Sequence, residues 1–323
     1  MTSSRTSRAP DTARSSAPAS NSLPASRRVL KGVRVVSLAL NLPGPAALMR
    51  LRAMGATCLK IEPPAPASAP VGVGGDPMSH YEPQAYRDLH AGIRTLTLDL
   101  KTAAGQRQLD RHLARADVLL TSFRPSALRK LGLDWKALHA RHAALSLITI
   151  VGAPGARAEE PGHDLTYLAS CDLVSGHDLP PTLYADMGGS LLTTEAVLKC
   201  LLERQQPGRH HGQGRHHEVA LSDAAAYLAL PRHWGLTSPR GMVGGAHAGY
   251  RVYACRNGRV AVAALEPHFA ARLCQAAGLG ESAARDMTRK QVHQQLQAFF
   301  ATQTRRQLDA LAGANDIPLH TLP

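Results

Sequence analysis

Four side chains stand out by type and setting. His163 and Asp164 share the segment GHDL (162–165), Asp186 lies in ADMGGS, and Glu266 lies in ALEPHF. An imidazole titrates near neutrality, so a His beside an Asp after a Gly/Pro-rich turn is equipped for proton transfer. Asp164 reads as a carboxylate nucleophile or as a helix cap, and for a lone residue the cap is the commoner role. Asp186 can likewise cap the helix expected after it. Glu266 stands at a strand–helix junction, where a cap or a surface charge is the ordinary use. A second cluster, His210, His211, His216 and His217 in RHHGQGRHHE, offers donors suited to zinc or nickel. Its Gly/Arg surroundings favour a solvated turn leading into a strand, and no metal site is assigned.

These residues must be held by a frame, and hydrophobic periodicity supplies one. LKGVRVVSLAL (30–40) alternates and then runs apolar, as a buried strand does. The turn NLPGP, the helix AALMRLRAMG and the strand TCLKIE (57–62) follow. PPAPASAPVGVGGDP is a Pro/Gly loop, long enough to suggest a function. Further strands are expected at 93–100, 117–122 and 145–151. Helices are expected from TAAGQRQLDRHLARA, around 127–131 and around 135–140. Strand–helix alternation of this kind predicts a parallel sheet covered by helices. No GxGxxG follows the first strand, so the dinucleotide fingerprint is absent. Later come a long helix over 187–203, the strand HEVALS, a helix from Asp223, and the hairpin YRVYACRNGRVAVAAL. Asn257-Gly258 predicts a type I′ turn in that hairpin. Helices near 267–277, 289–302 and 305–311 complete the chain.

Composition narrows the function classes. No apolar run of about 18 residues occurs, which excludes a spanning helix. Residues 1–28 are rich in Ser, Ala, Pro and Arg and read as a disordered basic tail. The five cysteines are widely spaced and form no CxxC, which argues against a disulfide framework and points to a reducing cytoplasm. Lys and Arg number 37 against 24 Asp and Glu, a net charge of +13. Such a surface suits nucleic acid, membrane headgroups or a small polyanion. The few aromatic residues form no stacking stripe beside a basic run, which disfavours a nucleic-acid partner.

Taken in order, the segments LKGVRVVSLA, GPAALMRLRAMGATCLKIEPP, GGDP, IRTLTLDLKT, ADVLLTSFRPSALRKLGL, GHDLTYLA, ADMGGS, GQGRHHEVALSDA and YRVYACRNGRVAVAALEPHF are collinear over about 30–323. This series resembles the family III CoA-transferase/α-methylacyl-CoA racemase family. The resemblance implies an enzyme of CoA thioesters: a Rossmann-like parallel-sheet CoA domain, a smaller α+β domain and an interlocked homodimer. In the racemase branch a His of GHD, paired with a Glu of (I/L)EP(Q/H)F, faces an Asp of (G/A)D(F/M)GG. Those positions are His163, Glu266 and Asp186. In the transferase branch the nucleophile is the Asp at position 164. The setting of Glu266 favours the racemase branch, and a non-catalytic CoA-binding remnant is a third reading. Departures are a turn before GHD without its aromatic residue, a short segment between His163 and Asp186, and a C-terminus short for the family.

The resemblance also singles out Arg94 and Arg124 as phosphate contacts. Arg52 and Lys60, read on turns and helix ends of the nucleotide half, are further CoA-binding candidates, with an ordinary exposed charge at least as good a reading for Arg52. A guanidinium matches phosphate geometry. Coenzyme A enters only as part of the substrate, and no other cofactor, metal or membrane span is expected. The expected division is a tail at 1–28, a large α/β domain at 29–212, a linker strand and helix at 213–239, and a small α+β domain at 240–323.

Overall fold

The computed structural model describes residues 28–69, 74–208 and 211–323. The tail expected at 1–28 lies outside them but for Arg28. In chain order the elements are β1 (Arg34–Ser37), α1 (Pro43–Ala53), β2 (Thr57–Glu62), α2 (Met78–Tyr81), α3 (Pro83–Leu89), β3 (Arg94–Thr97), α4 (Ala103–Leu113) and β4 (Val118–Thr121). They continue with α5 (Pro125–Leu131), α6 (Trp135–Arg141), β5 (Ser146–Val151), α7 (Asp164–Ser170), α8 (Tyr184–Gln205), β6 (His216–Ala220), α9 (Leu221–Leu228) and α10 (Leu230–His233). The last are β7 (Tyr250–Cys255), β8 (Gly258–Ala263), α11 (Pro267–Ala276), α12 (Glu281–Arg285), α13 (Lys290–Thr302), α14 (Arg305–Asn315) and β9 (Leu319–Leu322).

The chain forms two compact units. One contains the residues up to Asp164 together with Ala185–Asp223; the other contains Leu165–Tyr184 and Ala224–Pro323. In the first, six parallel strands run in the order β3-β2-β1-β4-β5-β6. Side chains alternate across this sheet, and both faces are apolar. Val35, Val118, Leu120 and Ile148 pack with Leu48 and Leu51 of α1 and Val197 and Leu201 of α8. Val36, Leu119 and Leu147 pack on the other face with Leu109, Leu128 and Leu138 of α4 to α6. A strand covered on both faces needs continuous apolar sequence, which is why VLLT and SLITIV are wholly buried while the edge strand RTLT is exposed. The order reverses between β1 and β4, and ligands of open α/β sheets bind at the carboxyl ends of the strands at such a switch point.

The second unit holds the antiparallel sheet β7-β8-β9. Tyr253, Val260 and Val262 cover a core with Leu273, Leu296, Phe300 and Leu308.

Three expectations change. His216–Ala220, assigned to a linker, is the sixth strand of the parallel sheet, with Val219 and Ala220 buried and the strand paired to β5. Residues 165–184, placed in the large domain, belong to the second unit. The hairpin pairs Cys255 with Gly258, so Arg256 and Asn257 are the central residues. Neither has a positive φ, so the turn is not type I′. The Asn257 side chain instead accepts the Arg305 N–H at 2.9 Å, tying the turn to α14. β9, formed by the segment PLHTLP, has no strong alternation and was not expected.

Candidate active site

Residues 152–163 lead from the carboxyl end of β5 to α7, whose first residue is Asp164. Asp164 is buried, and its Oδ1 accepts the backbone N–H of Asp186 at 3.0 Å. Asp186 lies in the first turn of α8. The chain leaves the first unit after Asp164 and returns at Ala185, and this hydrogen bond joins the two ends of that excursion. Asp164 is thus one reason α8 starts where it does: its carboxylate satisfies an N–H that has no partner within the helix.

The arrangement brings two carboxyl groups together in a buried setting. Burial and the Asp164 charge push the Asp186 carboxyl up to about 6, while the nearby His163 acts in the opposite sense. A carboxyl group with such a pKa exchanges protons readily near neutral pH. His163 is exposed and Asp186 half-buried, so both are open to a ligand, whereas Asp164 is enclosed. Glu266 belongs to the second unit; it is the exposed residue before α11, and its side chain makes no capping hydrogen bond. Three of the four expected catalytic residues therefore meet within one unit.

The expected CoA-binding residues are scattered. Arg124 is exposed at the carboxyl end of β4, just before α5, beside the switch point. Arg94 begins β3 and so lies at the amino end of the sheet. There it joins Arg34, Arg111 and Arg115 around a concavity of about 680 Å³. Burial, with Arg94, Arg115 and Arg111, holds the His112 imidazole below its usual range. Arg52, at the end of α1, donates to the Gly92 carbonyl at 2.9 Å. Lys60 is fully buried, its ammonium 2.7 Å from Asp76 and 3.8 Å from Glu62.

Glu62, Asp76 and His90 were not singled out from sequence, yet they are buried together with donor atoms within 4.8 Å of one another, a grouping capable of holding a metal ion. The Lys60 ammonium supplies positive charge to their carboxylates. The only available signal was the acidic pattern KIE followed by GGDP. The described histidines of the 210–217 cluster diverge. His216 stacks on Trp135 and bonds Thr149, and His217 pairs with Glu203.

The profile of CoA-transferase family III matches residues 30–322. The chain belongs to that family. It is 33% identical over 269 residues to an α-methylacyl-CoA racemase of Mus musculus, covering 78% of this chain and 65% of the mouse protein. It is 30% identical over 214 residues to a succinyl-CoA–D-citramalate CoA-transferase of Chloroflexus aurantiacus, covering 62% of this chain and 51% of that one. The chain thus spans about half to two thirds of these relatives. Among solved structures, a CaiB/BaiF family protein of Brucella suis superposes with a TM-score of 0.73 at 25% identity, over 91% of this chain and 84% of that chain. A hypothetical protein of Mycobacterium tuberculosis shares the fold, with a TM-score of 0.75 at 23% identity, over 90% and 83% of the two chains. Among the described residues no helix is long and apolar enough to cross a membrane.

Proposed function

We propose that the protein acts on acyl-CoA thioesters by α-methylacyl-CoA racemase-like chemistry. The observation that carries this reading is the Asp186 carboxyl, raised to about 6 by burial and the Asp164 charge, with His163 near it. A thioester α-proton is weakly acidic, and its removal leaves an enolate. In one direction neutral His163 takes the proton, and the acid form of Asp186 returns one to the opposite face of the α-carbon. The reverse direction exchanges the roles. In this reading Glu266 keeps the supporting role that the family pattern gives its Glu, and backbone N–H groups stabilise the enolate oxygen. Arg124, exposed at the switch point, contacts a phosphate of the coenzyme. The active assembly is a homodimer in the cytoplasm, and the thioester's own coenzyme A is the only cofactor the route requires.

A second reading rests on Asp164 and on the transferases among the relatives. There Asp164 attacks the thioester carbonyl, expels the CoA thiolate and forms an acyl anhydride. The thiolate then attacks the aspartyl carbonyl, releasing the carboxylate product and leaving an aspartyl-CoA thioester. The burial of Asp164 and its hydrogen bond to α8 favour the first reading.

Incubating the protein with a 2-methylacyl-CoA in D₂O, with and without a free acid, separates the two by mass. Deuterium at the α-carbon without CoA exchange is the expected result. CoA exchange onto the free acid, with a CoA adduct at Asp164 and no label, overturns it.

A further inference from the structure

The turn after β1 reaches the switch point and contains a strained residue. Asn41 has φ 61°, a left-handed conformation that costs a non-glycine residue free energy. Its backbone N–H points at Asp76, 3.1 Å from Oδ1 and 3.2 Å from Oδ2. The neighbouring Leu40 N–H donates to the Ser122 hydroxyl beyond β4, at 3.1 Å. The turn therefore hangs from β4 on one side and from Asp76 on the other.

Asp76 is itself fixed. It is fully buried, Lys60 Nζ lies 2.7 Å from its Oδ2, and the Met78 N–H donates to its Oδ1 at 3.0 Å. Lys60 projects from β2, next to the edge strand, where its backbone is paired to Ser37 of β1 and Thr95 of β3. Glu62 closes the cluster: the Tyr86 hydroxyl donates to it at 2.7 Å and the Asp76 N–H at 3.3 Å. Gly75 allows this close folding, since a Cβ there would collide with the Pro63 carbonyl.

We propose that Asp76, anchored by Lys60, is a positioning residue that holds the Asn41 turn in the shape the ligand requires. The rigidity of β2 passes through the buried ion pair into a turn that would otherwise relax. This inference rests on reading the switch-point crevice as the acyl-CoA site. Asp76 is fully buried, so its effect falls on affinity rather than on the chemical step.

The test uses the full chain with the paired substitution Lys60→Met/Asp76→Asn, which removes both charges and leaves neither buried alone. The pair is expected to melt as a folded protein. Amide exchange at residues 38–42 should accelerate about tenfold or more, and KM for the acyl-CoA should rise about tenfold with kcat within a factor of three. Lys60→Arg, which keeps the charge, should retain slow exchange in the turn, and it serves as the second variant if the pair fails to fold: rapid exchange in folded Lys60→Arg overturns the proposal. So does unchanged exchange at 38–42 in the folded pair, or a fall in kcat with KM unchanged. If the wild-type protein neither binds nor turns over acyl-CoA, the functional reading fails, and the exchange measurement still decides whether the latch exists.

Discussion

Glu62 and Asp76 meet a lysine; Asp164 and Asp186 meet each other. Both groups lie in the parallel-sheet unit. At the first, all four carboxylate oxygens accept a hydrogen bond: Asp76 from Lys60, Asn41 and Met78, and Glu62 from Tyr86 and the Asp76 N–H. At the second, the Asp186 N–H donates to Asp164, while burial and then the Asp164 charge push the Asp186 carboxyl up to about 6. The difference teaches that carboxylates in the same sheet become structure when cations and donors surround them. Where burial and a like charge meet instead, a carboxyl is carried toward a neutral pKa.

The largest effects should come from breaking the second group. His163→Ala is expected to remove deuterium exchange from one enantiomer by ~10²–10⁴-fold, and Asp186→Ala from the other. Glu266→Ala should follow His163→Ala more mildly, and Asp164→Asn should leave much of the exchange. Mass analysis of each enantiomer in D₂O reads this directly, and abolition by Asp164→Asn alone would instead identify the transferase.

Breaking the first group should cost stability. Lys60→Met leaves Asp76 and Glu62 buried without their cation and should destabilise the fold by about 3–5 kcal/mol, read from denaturant midpoints. Adding Asp76→Asn should recover most of that loss, because the uncompensated charge is then gone.

Arg124 and Arg94 sharpen the ligand end of the comparison. Arg124→Ala should weaken CoA binding about ten- to a hundredfold while sparing a pantetheine-only analogue. Arg94→Ala, at the opposite end of the sheet, should cost less, and calorimetry of both ligands tests the order.

The smallest effect concerns pH. The folded-state pKa of Asp186 lies above its ordinary value of 3.8. Between about pH 4 and 6 the folded protein thus binds more protons at this site than the unfolded chain. Stability must then fall as pH rises through that window. Asp186→Asn should flatten this limb by about 1 kcal/mol, measured as melting temperature against pH. Asp164→Asn should shift the limb toward lower pH, since the repelling charge is removed.

Much of the frame was legible in sequence. TCLKIE was expected as a strand over 57–62 and is one, and the apolar runs at 118–121 and 146–151 are buried central strands. Periodicity reports burial on a face, and a strand covered on both faces leaves a plain signal. β6 was read as a strand but not as part of the parallel sheet, because pairing with β5 joins residues far apart in sequence. The type I′ expectation at Asn257 failed for a similar reason: the bond from Arg305 comes from a distant helix.

By itself, the order of residues determined the strand–helix alternation, the family, and the presence of His163, Asp164, Asp186 and Glu266 in its motifs. Only the tertiary structure decided that Asp164 caps the helix carrying Asp186, that Arg94 and Arg124 lie at opposite ends of the sheet, and that Lys60 is enclosed by acids. Local pattern encodes which face of an element avoids water. The charge a side chain meets, and the solvent it loses, depend on neighbours that only folding brings within a few ångströms.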